Sequence, residues 1–127
     1  MKLLFIVFIG GGLGSVSRYL VNMFFVSKDI SLLPAGTLTA NLLSSFILGI
    51  LLAVGTYRSE LSDELKMLLI VGFCGGFSTF STFTAENLQL IRDGQYLLTA
   101  MNMILNVSLC LFVMIAGIFL GRTLTGN

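Results

Sequence analysis

Four long apolar runs, joined by short polar links, divide the chain: Leu3 to Val26, Ala35 to Tyr57, Leu65 to Ile91 and Tyr96 to Leu120. A membrane-spanning helix needs about 20 predominantly apolar residues, so each run is long enough to cross a bilayer. The pattern predicts an all-α integral membrane protein of four transmembrane helices, a single domain over residues 1–127 with no room for a soluble domain beside them. The first run has the length and position of a signal peptide. It lacks a small-residue cleavage site, continues through Arg18 and is followed by three more spans, so it reads as a retained helix. Pro34 suits the opening turn of the second helix, where its missing N–H is not needed.

Polar residues inside the runs carry the next layer of information. Gly72 to Phe83 reads GFCGGFSTFSTF, with glycines and phenylalanines interleaved with Ser78, Thr79, Ser81 and Thr82 where leucine and valine would be ordinary. Glycine lets a backbone leave helical geometry, and irregular backbone at membrane depth is tolerated where it is buried in protein or lines a polar cavity. The expectation is a third helix broken near the midplane, at Gly75 and Gly76. The other reading is that the glycines serve close packing and the hydroxyls bond back onto their own helix.

Polar stripes recur on the other runs. In the first, Gly10, Gly14, Arg18 and Asn22 follow one another at steps of four and share a face. Arg18 either snorkels to the interface or forms part of a cationic vestibule at a pore entrance. In the second, Thr37, Asn41 and Ser44 or Ser45 share a face; in the fourth, Thr99, Asn102 and Asn106 do. A buried amide must be hydrogen-bonded, so Asn41 is either structural glue or part of a pore. Amides on two helices beside a hydroxyl ladder on a third suggest a shared polar track.

Composition agrees with the pattern, at 56% hydrophobic and 10% charged residues with a mean hydropathy of +1.00. No histidine and only two cysteines, Cys74 and Cys110, leave no zinc or iron–sulfur site, and no nucleophile and base pair suggests an enzyme. Scattered charge with a net of +1 gives no nucleic-acid patch. The connector Arg58 to Lys66, with Glu60, Asp63 and Glu64, is the one charged segment and reads as a solvated loop, while Glu86, near the end of the third run, is placed to neutralise Arg18. Four spans put Lys2, Arg58, Lys66 and Arg122 on one side and Lys28 and Arg92 on the other. That small bias permits insertion in both orientations, hence an antiparallel two-fold dimer.

With these residues in hand, the chain resembles the Fluc (CrcB) family of fluoride channels. The matching pieces are GGGLGSVSRY in the first run, GTLTANLLSSFILG in the second, and GFCGGFSTFSTF followed by Ala85 and Glu86 in the third. Ser44 and Ser45 stand where the family often has a glycine, and the fourth run matches only in its general polar pattern. The resemblance implies an antiparallel, dual-topology homodimer in the inner (plasma) membrane, with two pores that carry fluoride passively out of the cell. It places Phe80 and Phe83 along the pores, Asn41 in the conduction path and Ser81 and Thr82 in a polar track, to which Asn102 and Asn106 could belong. It puts Arg18 by the aqueous vestibule. Backbone carbonyls of Gly75 and Ser78 from both subunits would hold a structural sodium ion.

Two rivals make different predictions. A proton-coupled exporter of the small multidrug type shares four helices and dual topology but would carry an acidic residue in its cavity, typically in the first helix, and the first run has no carboxylate. A non-transporting membrane subunit would use the same glycines and amides for packing alone.

Overall fold

The structure, a computed structural model, describes residues 1–26, 33–57 and 61–126. The link Ser27 to Ser31 with Lys28, and the connector charges Arg58 and Glu60, lie outside the described residues. The regular structure among them is helical, and four helices are long and apolar enough to cross a membrane. The first span is α1 (Lys2–Val26) and the second α2 (Ala35–Tyr57). The third, Asp63–Arg92, is built from pieces: α3 (Asp63–Lys66), a π-helical stretch (Met67–Cys74), α4 (Gly75–Phe77) and α5 (Phe80–Arg92). The fourth is α6 (Tyr96–Thr125).

Local chemistry sets the ends of these helices. Ser62 caps α3, its Oγ accepting the Leu65 N–H at 3.3 Å, with Asp63 and Glu64 favourably placed in the first turn. α6 continues past Leu120, where the apolar run ends, to Thr125. Nothing in Arg122 to Thr125 breaks a helix, and Gly126, at φ 78°, supplies the left-handed residue that closes it.

Packing divides the bundle into two close pairs, α2 with α6 and α1 with the first half of the third span. Both are glycine contacts. A Cβ added at Gly49 would run into the Met114 carbonyl of α6, and one at Gly117 into the Phe46 carbonyl of α2. On the other side Gly72 meets Gly10, and Gly76 meets Gly11, backbone against backbone. Small residues give such close approach in a lipid environment, where association rests on packing rather than on the expulsion of water. The outer surfaces are correspondingly apolar: Phe5, Phe8 and Leu13 of α1 and Ile104, Phe112 and Phe119 of α6 are exposed, as lipid-facing residues are.

The glycine contacts predict a sharp contrast within one structure. A Cβ at Gly72 would lie 2.9 Å from the Gly10 Cα and 3.0 Å from the Val7 carbonyl oxygen, so neither helix can yield without a backbone shift. Gly72→Ala is expected to destabilise the fold by roughly 1–3 kcal/mol, the usual range for overpacking. Gly12→Ala, where nothing lies within 4 Å of the new methyl, is expected to be neutral or slightly stabilising because it raises helix propensity. Unfolding midpoints in mixed detergent check the pair; equal midpoints would mean that α1 and the third span are not in backbone contact.

The third span is interrupted, but not where glycine alone suggested. Gly75 is in right-handed helical conformation (φ −64°, ψ −36°) and Gly76 lies within α4. Helical geometry stops instead at Ser78 (φ −74°, ψ 157°) and Thr79 (φ −151°, ψ 119°), after which α5 restarts at Phe80. The reason is chemical. An interruption needs side chains that take over orphaned backbone groups. The freed Thr79 N–H is accepted by Asn41 Oδ1 of α2 at 2.8 Å, and Thr79 Oγ1 accepts the Thr82 N–H at 3.3 Å as the cap of α5. Glycine has no such group, and here it serves close approach: Gly72 and Gly76 bury against α1 while the hydroxyl residues make the joint.

Candidate functional site

The joint at Ser78 and Thr79 is held by side chains from α1 and α2, one of them braced by α6. Asn41 of α2 grips the Thr79 peptide from both sides. Its Oδ1 accepts the Thr79 N–H at 2.8 Å, and its Nδ2 donates to the Thr79 carbonyl at a long 3.5 Å and to Asn106 Oδ1 of α6 at 3.1 Å. Arg18 of α1 donates from Nη1 to the Ser78 carbonyl at 3.2 Å. Ser44 of α2 donates to the Cys74 carbonyl at 2.9 Å. Because the Thr79 N–H is turned towards Asn41, the Gly75 carbonyl loses the donor that a continuous helix would have given it.

Beside the joint lies a cavity of about 260 Å³, lined by Asn41, Ser78, Thr79, Phe80, Phe83 and Asn106 among others. The two phenylalanines belong to the first turns of α5, with ring centroids 5.7 Å apart and planes tilted by 43°. Phe83 is buried, whereas Phe80 is 78% exposed in the single chain. Among the described residues no charged side chain lines this cavity; its polar groups are amide, hydroxyl, peptide and the Cys110 thiol. A second cavity, about 150 Å³, is bordered by Ser44, Ser45, Gly75 and Ser78, and a Cβ at Gly75 would meet nothing within 4 Å.

The residues singled out in the sequence therefore fall into distinct places. Asn41, Phe80, Phe83 and Asn106 share the larger cavity, and Gly75 borders the smaller one with Ser78, which lines both. Ser81 and Thr82 are exposed on the first turn of α5, tied to the cavity through Thr79, whose Oγ1 lies 3.4 Å from Ser81 Oγ and donates to Thr82 Oγ1 at 3.0 Å. Thr82 thus accepts at that contact and keeps its own proton for another acceptor. Asn102 is fully buried behind Asn106, which donates to its side chain at 3.0 Å.

Glu86 and Arg18 do not pair. Arg18 is turned to the Ser78 carbonyl, and Glu86 Oε1 accepts from the Thr37 hydroxyl at 2.5 Å while its Oε2 is buried without a hydrogen-bond partner. The expectation of an ion pair fails because the interruption offers Arg18 the Ser78 carbonyl, and the guanidinium donates there instead.

Two residues escaped the sequence reading. Thr79 was one hydroxyl among several, yet its peptide is the group that Asn41 holds. Asn87, among the polar residues that end the third run, has no role in that reading, but it is 2% exposed and donates to the Phe83 carbonyl at 2.7 Å. Its spacing was the available signal: Phe83, Asn87 and Leu90 follow the helical period and are all buried in α5.

A polar recess without fixed charge, offering N–H and O–H donors and aromatic edges, is chemically suited to a small anion that must shed water and move on. Comparison with known proteins points the same way. Residues 5–118 match the family described as CrcB-like protein, Camphor Resistance (CrcB). The chain is 44% identical over 117 residues to a protein of Shewanella sp. (strain ANA-3) named fluoride-specific ion channel FluC, covering 92% of this chain and 94% of that protein. It is similar at the same coverage to identically named proteins of Shewanella oneidensis, at 44%, and of Shewanella baltica (strain OS185), at 43%. A match over nearly the whole length, spanning the glycine contacts, the Asn41 segment and the interrupted third span alike, establishes that this multi-pass membrane protein belongs to the CrcB family.

Proposed function

We propose that the protein is a passive, fluoride-selective channel that releases cytoplasmic fluoride. The observation that carries this reading is the meeting of Asn41 with Phe80 and Phe83 in one uncharged cavity at the interrupted helix, in a chain so similar to proteins named for fluoride conduction. Fluoride is small and strongly hydrated, so a path must replace water with hydrogen-bond donors. Asn41 Nδ2 and the hydroxyls of Ser81 and Thr82 supply them, and the positive edges of Phe80 and Phe83 attract an anion without the tight hold of a fixed cation. Arg18, at the Ser78 carbonyl, lends positive potential to the approach.

The working unit in this reading is an antiparallel, dual-topology homodimer in the plasma membrane, with two pores. What supports it is the near balance of positive charge between the two sides of the chain and the 78% exposure of Phe80, a ring that a second copy would cover. A structural sodium ion would be held by the carbonyls of Gly75 and Ser78 from both subunits. The donor set fits: these are uncharged backbone oxygens, Gly75 has lost its helical donor to Asn41, and the space around it is open. Arg18 already occupies one acceptor position of the Ser78 carbonyl, leaving the other for a cation. Bound there, sodium would supply a positive charge and oxygen coordination that join the two subunits.

The cellular logic is simple. Hydrofluoric acid crosses membranes uncharged and dissociates in a near-neutral cytoplasm, and a passive anion path driven by the negative-inside potential lets the anion out. The decisive experiment is fluoride efflux from liposomes holding the purified protein, with valinomycin and potassium to clamp the voltage and chloride as the paired control. Rapid fluoride release without chloride release, in the absence of a proton gradient, is the expected outcome. Release that requires a proton gradient would mean a coupled exporter, and no release from folded protein would make the glycines and amides packing groups only.

A further inference from the structure

Four asparagines join end to end behind the cavity. Asn87 Nδ2 of α5 donates to the Phe83 carbonyl at 2.7 Å; Asn102 Nδ2 of α6 donates to Asn87 Oδ1 at 3.2 Å; Asn106 Nδ2 donates to Asn102 Oδ1 at 3.0 Å; and Asn41 Nδ2 of α2 donates to Asn106 Oδ1 at 3.1 Å. The chain closes where Asn41 Oδ1 accepts the Thr79 N–H at 2.8 Å. Asn87, Asn102 and Asn106 are at most 5% exposed, so water does not compete for these groups.

An amide can present either its oxygen or its nitrogen, and nothing in its shape decides which. The ends of this chain decide. A peptide carbonyl only accepts and a peptide N–H only donates, so Phe83 at one end and Thr79 at the other impose the same direction on every amide between them. Turning any one around would set oxygen against oxygen on one side and N–H against N–H on the other, in surroundings where such mismatches are not screened.

We infer that Asn87 and Asn102 are positioning residues that, acting through Asn106 and together with the Thr79 N–H, fix the amide orientation of Asn41, so that it keeps its N–H rather than its carbonyl oxygen on the side available to the transported ion. This rests on the channel reading, and it identifies what makes one neutral amide select for negative charge. Asn41 Nδ2 carries two protons. One is spent on Asn106, and the other reaches the Thr79 carbonyl only at 3.5 Å, a contact long enough to be exchanged for an anion in the cavity. Asn102 itself need not touch the ion.

The test uses what position 102 requires, one donor to Asn87 and one acceptor for Asn106. A neutral carboxylic acid supplies both, a carboxylate supplies only acceptors and leucine supplies neither. Asn102→Asp is therefore expected to conduct when protonated and to lose at least fivefold of its fluoride flux, relative to wild type at the same pH, as the pH is raised from about 6 to about 9. Asn102→Leu is expected to be low throughout. Fluxes are measured in liposomes with protein-free vesicles subtracted and folding checked by gel filtration. If Asn102→Leu does not fold, the pH profile of Asn102→Asp, read against itself, still decides. An Asn102→Asp profile that parallels wild type would overturn the inference. A wild-type protein that carries no fluoride would refute the channel reading and leave the positioning testable by a second measurement. The side-chain amide ¹⁵N–¹H signals of Asn41, assigned by their loss in Asn41→Ala, are expected to shift in Asn102→Asp as it ionises, and signals that stay in place at all pH values would refute the positioning.

Discussion

Replacing Asn41 with aspartate is expected to reduce fluoride flux by about three orders of magnitude. A carboxylate about 4 Å from the path of an anion repels it by roughly 4 kcal/mol at an effective dielectric of 20, and each 1.4 kcal/mol is about a factor of ten. The substitution also removes both Nδ2 donors, so that a carboxylate oxygen faces Asn106 Oδ1 and the Thr79 carbonyl, groups that now receive Asn41 hydrogen bonds. Asn41→Ala separates the two effects. It loses the donor but introduces no charge, and a hydrogen bond to an ion is worth about 1.5–3 kcal/mol, so its flux should fall by roughly one to two orders of magnitude, clearly less than the aspartate. Liposome efflux at fixed voltage measures both. Wild-type rates from Asn41→Asp would place this residue outside the conduction path.

How far the sequence could be read depends on which physical signal each element carries. Four spans are legible because a bilayer sets a minimum apolar length, and their observed bounds depart from the apolar runs chiefly where helix continues through polar ends, as at Arg122 to Thr125. The pairing of α1 with the third span was half legible: the step of four from Gly10 to Gly14 marks a contact face, but nothing in it says that the partners are Gly72 and Phe73. The position of the interruption was misread because glycine signals permission to leave the helix, whereas the departure itself is decided by who satisfies the freed groups. That information lies in Asn41, which is distant in sequence from Thr79. The same holds for Arg18, whose partner proved to be a carbonyl exposed by the interruption. A backbone group has no letter in the sequence, so a reading by residue type turns to the carboxylate instead.

These two misreadings have one origin, and it explains why the cavity is uncharged. A broken helix presents peptide groups as ligands, and the chain answers them with neutral amides and hydroxyls on one side and a single arginine on the other. Charged partners would satisfy the joint more strongly, but they would also fix any ion that entered. Neutral donors, with the Asn41 Nδ2 contact to the Thr79 carbonyl stretched to 3.5 Å, leave contacts that can be exchanged one at a time.

The phenylalanines provide the second large effect. Phe80→Ile and Phe83→Ile are each expected to lower fluoride flux by roughly two- to tenfold, since an aromatic edge contributes on the order of 0.5–1.5 kcal/mol beyond its bulk and isoleucine keeps most of the bulk. The two positions differ in what else they do. Phe83 is 8% exposed, so its substitution also repacks the joint between α5 and its neighbours, whereas Phe80, at 78%, has little to lose within one chain. A fall in flux for Phe80→Ile with an unchanged unfolding midpoint would therefore isolate the ring edge from packing. The rings are only 5.7 Å apart, so the double variant is expected to depart from the product of the single effects, and a double-mutant cycle on flux measures that coupling. Phe24→Ile serves as the reference: Phe24 forms a ring pair with Phe25 at nearly the same separation, 5.6 Å, though edge-on at 83°, does not line the cavity, and should leave flux unchanged. If all three substitutions behave alike, the rings act through membrane packing and not on the ion.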